Sequence, residues 1–339
     1  MRRLTIFLVT IISLTIFNSC DGNFSIFKEG DEYTIVYGYL DVDADTNYIK
    51  ITKSFTGNAL EMAPDYSASN YDYKLDAKLI GKFASAPSRV SEVSLDTVSV
   101  FKPYDPDGLF YSGRNQLLYY TTEKLLANEY YQLKIIRKDS VEITSKVKTI
   151  SSSSIRQPVY NISFESGYTN KIEWRANPFN QLAAYYEVIG YFHYKQLDPG
   201  STDTTYHKMR WYFGSGTGEE LYNSSTLNMF VNYTPTSFYS KLAADANIVN
   251  NTDTYTRRFV DCFEVIVTAT GDELYNYILI QNSGSAIMDT PEFTNINNGY
   301  GILSSRSVCS KKFAVNDHTI NTLVKDYPQW GFEKVLGNY

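Results

Sequence analysis

The chain has 339 residues and a formal net charge of -6. Its Lys and Arg residues are spread along the sequence, which argues against nucleic acid as a partner, because phosphate binding needs a clustered basic face. Thirty Tyr beside 19 Phe and only 5 Met point to a β-rich protein with many half-exposed aromatics, since tyrosine favours strands and carries a polar handle.

The first twenty residues have the three-part layout of a secretory signal. Arg2 and Arg3 make a positive start, Leu4–Phe17 is apolar apart from Thr5, Thr10, Ser13 and Thr15, and a small residue precedes Cys20. The apolar run is shorter than the roughly 20 residues of a spanning helix. A cysteine directly after the cleavage point resembles a bacterial lipobox, in which Cys20 becomes the lipidated first residue. The alternative is an ordinary signal peptide with a chance cysteine. Residues 21–32 read as a polar tether. What remains is long enough for two domains at roughly 100–200 residues each.

The first domain is expected over residues 33–150. Tyr33–Leu40 and Tyr48–Lys53 form a hairpin around the acidic turn Asp41–Asn47. Asp41, Asp43 and Asp45 lack the glycine and the closing Glu of a calcium loop, so the turn reads as solvated. After a polar excursion over 58–72, strands are expected at Asp76–Ile80, Val90–Leu95, Leu117–Thr121, Tyr130–Arg137 and Ser140–Lys148, with a turn at Pro103–Gly108. That spacing suits a β-sandwich. Ile150–Gln157, a serine run before Pro158, reads as a hinge.

The second domain is expected over 156–339, with strands at Val159–Phe164, Lys171–Trp174, Ala183–Gln196 and Tyr206–Phe213. A strand bearing Trp174 that leads to a Tyr-rich strand is similar to a fibronectin-type sandwich, in which a buried Trp packs the core. Thr234-Pro235 opens a short helix running to about Ala246. Phe259–Thr268 is a strong strand. Thr270–Glu273 has capping-box spacing ahead of a helix carrying Leu274, Tyr277 and Ile278. Short strands near Ser305–Val308 and Lys312–Val315 and a helix at Thr319–Lys325 close the chain. The expected class is mainly β: two immunoglobulin- or fibronectin-like sandwiches, the second with short helices.

Little in the chain points to catalysis. His193, His207 and His318 lie outside any zinc motif, and neither a metal nor a cofactor is expected. Gly214-Ser215-Gly216-Thr217-Gly218 places its serine one position too early for a nucleophile elbow and lacks the lysine of a phosphate loop, so it reads as a flexible turn. No catalytic residue is assigned. The candidate binding surface is Tyr66, Tyr71 and Tyr73, in or beside a polar loop, where exposed aromatics stack on glycan rings or pack on a peptide or protein partner. The same residues could equally pin the loop to its own domain. Once Cys20 is lipidated, Cys262 and Cys309 remain as a pair that an oxidising envelope could bridge.

Pro291–Leu303 (PEFTNINNGYGIL) resembles the P-x-x-x-N-I-x-x-G-x-G-I-F signature of an uncharacterised Bacteroidota outer-membrane lipoprotein family, with Leu303 in place of the final Phe. Asp272–Tyr277, the strands of Trp174 and Tyr185-Tyr186, and the amino-terminal hairpin are similar to other parts of that family, so the resemblance covers most of the mature chain. Its members are often encoded beside TonB-dependent transporters. That implies a protein anchored to the outer membrane by lipid, working with such a transporter in nutrient capture. No catalytic residue carries over. Gly299 and Gly301 suit a positive φ or a close backbone approach and Asn295 suits capping, so a structural role is expected for Pro291, Asn295, Gly299 and Gly301. Two alternatives stay open: a surface adhesion or fimbria-like structural protein, and, third, an enzyme acting on glycans.

Overall fold

A computed structural model describes residues 32–55, 62, 65–83, 90–103, 114–165, 170–178, 181–249, 256–283 and 293–334. The signal segment, Cys20 and Pro291 lie outside the described residues. The first half contains β1 (Thr34–Asp41), β2 (Asn47–Lys53), β3 (Asp76–Lys82), β4 (Val90–Ser94), β5 (Asp96–Lys102), β6 (Arg114–Thr121), β7 (Tyr130–Ile136) and β8 (Glu142–Lys148). The second half contains β9 (Ser152–Gln157), β10 (Asn161–Ile162), β11 (Asn170–Asn177), β12 (Tyr185–Leu197), β13 (Thr204–Thr217), β14 (Tyr222–Asn223), β15 (Asn228–Tyr233), β16 (Arg257–Thr270), β17 (Gly299–Val315) and β18 (Phe332–Glu333). Among the described residues six α-helices intervene: α1 (Tyr66–Ser69), α2 (Gly218–Leu221), α3 (Pro235–Ala243), α4 (Ala246–Val249), α5 (Asp272–Ser283) and α6 (Asp317–Lys325).

The long strand β17 is the spine. Its first half pairs in parallel with β1, from Thr34 opposite Gly299 to Asp41 opposite Arg306. Its second half pairs antiparallel with β16, from Thr270 opposite Arg306 to Phe263 opposite Phe313. The result is a ten-stranded sheet in the order β13-β12-β16-β17-β1-β2-β6-β5, with β10 added on β17 and β18 on β16. Two four-stranded sheets, β4-β3-β7-β8 and β14-β15-β11-β9, complete the architecture. The protein is mainly β and of sandwich type.

Period-two alternation explains the layering, because successive strand side chains point to opposite faces. In the first half Val36, Leu40, Ile49, Ile51 and Tyr119 of the large sheet meet Leu79, Leu133 and Ile135. In the second half Val188, Phe192, Phe263 and Val265 meet Trp174, Val231 and Tyr233. Phe164 sits centrally there, stacked on Phe238 at 3.9 Å and 5.6 Å from Tyr233. Each such side chain contributes about 1.5–3 kcal/mol on burial. Leu303 belongs to the first core and Phe313 to the second, and both are odd positions on β17. The two small sheets therefore cover one face of the large sheet, and helix α5 packs on the opposite face, where Ile302 and Ser304 of β17 are buried.

Arg258 locks the carboxy-terminal turn. It is 1% exposed, and its guanidinium donates to Gln196 Oε1 at 2.9 Å, the Trp330 carbonyl at 2.7 Å and the Asn247 carbonyl at 3.0 Å. A buried cation needs such saturation, since an unpaired buried donor costs more than the bond itself is worth.

Several expectations change. The serine run is not a hinge: Ser152–Gln157 is β9, paired with β11 from Gln157 opposite Glu173 to Ser152 opposite Asn177. Sheet pairing satisfies its backbone, and Ile150 and Ile155 pack against the second core. The division expected between residues 150 and 156 is crossed by the carboxy-terminal segment, whose Ile296 and Leu303 lie in the first core. Gly214–Thr217 is strand rather than flexible turn, continuing β13 against β12, and Gly218 opens α2. The acidic turn keeps Asp43 and Asp45 exposed, as expected, and is tied down as well. Asn47 brackets the Asp41 backbone with bonds of 2.6 and 3.1 Å, and Ser307 donates to Asp43 at 2.7 Å. The two expected short carboxy-terminal strands are one strand of 17 residues. The helix starting at Pro235 and the strand Tyr185–Leu197 lie close to their expected bounds.

Candidate functional site

Val36 and Leu40 of β1 point into the first core, so Tyr37 and Tyr39 point outward from the large sheet. On β2, Ile49 and Ile51 point inward and leave Tyr48 and Lys50 outside; on β6, Tyr119 is inside and Tyr120 outside. Register aligns these residues into a field. Tyr37 is opposite Lys50, and Tyr48 is opposite Tyr120 with ring centroids 6.1 Å apart. The Arg306 guanidinium closes one end, 5.4 Å from the Tyr39 ring. Exposure decides the reading: Tyr37 is 52%, Tyr48 47% and Tyr39 40% exposed on a rigid sheet. Large aromatics in that state offer contact area at low entropic cost.

Lys50 gives the field its charge. Half-burial pushes its ammonium pKa down, and the charge of Lys102 pushes in the same direction. Among the described residues it forms no ion pair. A cation held among tyrosines without a carboxylate beside it suits a ligand that has a flat apolar face and an acidic group.

Helix α5 borders the field on the same face. The Leu274 N–H donates to Ser304 Oγ at 3.2 Å, Ser304 Oγ donates to Glu273 at 3.1 Å, and Tyr275 stacks on Tyr185 at 5.2 Å. Burial raises the Glu273 carboxyl above the ordinary range. Further along that face, Lys208 lies over the Tyr191 ring at 4.6 Å, Lys195 over Tyr206 at 5.1 Å, and His193 lies 3.2 Å from Glu264. There the charges are satisfied internally.

Tyr66, Tyr71 and Tyr73 sit elsewhere. Tyr66 begins α1, which Asp65 caps through the Ser67 N–H at 2.8 Å. Tyr71 shares a 2.7 Å hydrogen bond with Thr34, meets Tyr73 edge-on at 5.5 Å, and has its phenol pushed up to about 12 by burial. Lys138 lies 3.8 Å from the Tyr73 ring centroid. Tyr71 and Tyr73 pack against the first core, and these contacts pin the loop to its own sandwich.

The carboxy-terminal motif has a mechanical reading. Asn295 Nδ2 donates to the Leu303 carbonyl at 2.6 Å, and the Leu303 N–H donates to Asn295 Oδ1 at 3.0 Å. The side-chain amide thus takes the place of a neighbouring strand on β17. Thr294 Oγ1 donates to the Gly301 carbonyl at 2.8 Å. Gly301 has φ +101°, and a Cβ there would lie 2.1 Å from the Val36 carbonyl oxygen. A Cβ at Gly299 would meet the Thr34 carbonyl oxygen at 2.6 Å. Both positions need glycine for β1 to approach.

Cys262 and Cys309 are free thiols. Cys309 is opposite Val267, five residues along β16 from Cys262, a separation of about 17 Å against the roughly 7 Å limit of a disulfide. They also face opposite sides of the sheet: Cys262 adjoins the inward Phe263, whereas Cys309 packs against the core. The bridge does not form. His207 stacks on Tyr194 at 5.4 Å, and His318 is 3.9 Å from Glu165. Among the described residues no three His, Cys, Asp or Glu side chains gather to hold a metal. No described helix is long and apolar enough to cross a membrane. An open hollow of about 510 Å³ on the second sandwich is bordered by Glu220, Tyr222, Asn223 and Phe230.

Residue choice within β1, β2 and β6 escaped the sequence reading. Ile35, Tyr37 and Tyr39 are strand-favouring residues with large apolar surfaces, as Val36 and Leu40 are, so alternation alone does not tell inside from outside. Comparison with known protein families and with curated proteins returns no match. The fold and its open face therefore carry the functional argument.

Proposed function

We propose that this protein is a non-catalytic binding subunit of the cell envelope, anchored to the outer membrane through lipid on Cys20 and working with a TonB-dependent transporter in nutrient uptake. The observation that supports binding is the tyrosine field of Tyr37, Tyr39 and Tyr48 on a rigid sheet. Envelope location and transporter association rest on the signal-like amino terminus and the resemblance of the carboxy-terminal motif. Tyrosine is enriched among the few interface residues that contribute about 2 kcal/mol or more each.

The test is a mild-detergent pull-down with an affinity tag at Tyr339, run beside a Tyr39→Ala/Tyr48→Ala variant. Mass spectrometry should recover a TonB-dependent transporter with the native chain and markedly less with the variant. Recovery of no transporter refutes the association. Equal recovery with both proteins moves the contact away from this face. The adhesion or fimbria-like reading keeps one specific support, the edge of the large sheet at β5, with which no further strand pairs among the described residues.

A further inference from the structure

The edge strand β5 carries a second kind of recognition. Strand β6 pairs one side of it over an unbroken register, from Asp96 opposite Tyr120 to Lys102 opposite Arg114. Among the described residues no strand pairs with the other side. Proteins normally blunt such an edge with a bulge, a proline, a cover or charges along it, because its N–H and C=O groups template further pairing; the charges of β5, Asp96 and Lys102, stand only at its ends. β5 has neither bulge nor proline, and its Phe101 is 60% exposed.

Its sequence, Asp96-Thr97-Val98-Ser99-Val100-Phe101-Lys102, is self-complementary about Ser99. Laid antiparallel against a second copy, Asp96 falls opposite Lys102, Thr97 opposite Phe101, Val98 opposite Val100, and Ser99 opposite itself. We propose that β5 is the seam of a homodimer, in which two copies pair edge to edge about a twofold axis at Ser99. Asp96 lies 3.2 Å from Lys74 within its own chain and is largely exposed, so in the dimer each end gathers Lys74, Asp96 and the Lys102 of the copy, and the valines form cross-strand pairs. A seam of seven residues forms roughly six to eight backbone hydrogen bonds.

Register discriminates strongly. A one-residue slip would turn the partner's outer face to the opposite side of the sheet. A two-residue slip keeps the faces aligned but sets Lys102 opposite Val98 and leaves Asp96 beyond the strand end. Only the register centred on Ser99 makes both ion pairs while placing the two tyrosine fields on one side of a continuous sheet. The contact is isologous and closes after two copies. It therefore differs from the head-to-tail pairing that a fibre requires.

Cross-linking tests this in membranes on the full chain carrying Cys262→Ser. Ser99→Cys places two sulfurs across the axis, where paired Cα atoms lie about 4.5–5.5 Å apart, within disulfide range. Oxidation should convert it to a dimer on a non-reducing gel. Thr97→Cys should stay monomeric, because its copies lie about 14 Å apart in this register. In the Ser99→Cys background, Asp96→Lys should weaken dimerisation about tenfold, as like charges then face each other at both ends. Adding Lys102→Asp should restore it, an outcome a general loss of folding would not give. Absence of a Ser99→Cys dimer, equal cross-linking by Thr97→Cys, or failure of the charge swap to restore pairing overturns the proposal. The assay involves neither tyrosine variants nor a transporter, so its result stands apart from the binding reading.

Discussion

Replacing Asn295 by Ala tests whether one side chain substitutes for a missing strand. Leu303 is 0% exposed, and its N–H and C=O both bond to the Asn295 amide, at 3.0 and 2.6 Å. Truncation orphans both groups, each at about 1–3 kcal/mol. Water entering the vacated space at this half-buried position recovers part of that, so the expected loss is about 2–4 kcal/mol. Against a typical total of about 5–15 kcal/mol, this is a large fraction. Urea unfolding followed by far-UV circular dichroism and by tryptophan fluorescence measures it. All three tryptophans, Trp174, Trp211 and Trp330, lie in the second core, whereas Asn295 borders the first. Because β17 runs through both cores, the two midpoints should fall together. A loss below about 0.5 kcal/mol refutes the strand-mimic argument, since that is the scatter of ordinary surface changes. A shifted dichroism midpoint with an unmoved fluorescence midpoint refutes the coupling through β17. Asn295→Asp sharpens the test. Its carboxylate still accepts from the Leu303 N–H but faces the carbonyl as a like partial charge, so its pKa should rise on folding. Its stability should be greatest below the unfolded value and fall as pH rises through the folded one.

Two further expectations follow from burial. Cys309, its thiol pushed up to about 12 by burial, should resist maleimide in the native state, whereas Cys262 should react first; native Cys309 labelling as fast as Cys262 would contradict its placement. Reductant should leave the melting temperature unchanged, because the thiols are free. Glu273 has its carboxyl raised by burial, so its favourable contribution is complete below the unfolded value of about 4.3 and is lost as pH rises through the higher folded value. Glu273→Gln should therefore be more stable than the native protein at neutral pH, with the urea midpoints converging towards about pH 4; a variant less stable throughout would show the charge to be favourable.

Much of the local structure was legible from pattern. Tyr130–Ile136 and Tyr185–Leu197 alternate clearly, and Pro235 marks its helix start because proline suits the first helical turn. Strand β5 was not legible. Asp96–Lys102 follows β4 after the single residue Leu95, and only a strand at Val90–Leu95 was expected there, although a second strand follows at once in a different sheet. The serine run misled for a related reason. Serine has weak local preference, and its conformation was set by Trp174–Asn177 on the neighbouring strand rather than by its own side chains.

The candidate site divides in the same way. The aromatic richness of the chain and the turn chemistry of Asn295, Gly299 and Gly301 are properties of the residues themselves, and the sequence alone determined them. Which tyrosines face solvent was decided by tertiary structure. Tyr37 and Tyr39 are outside because Val36 and Leu40 are covered by the β3-β7 layer, while Tyr71 and Tyr73 are held against that same core. The union of both halves through β17 was likewise beyond local reading. Gly299 and Gly301 permit a close approach, but only the arrival of β1, with the Thr34 and Val36 carbonyls where a Cβ would stand, makes that approach a parallel pairing.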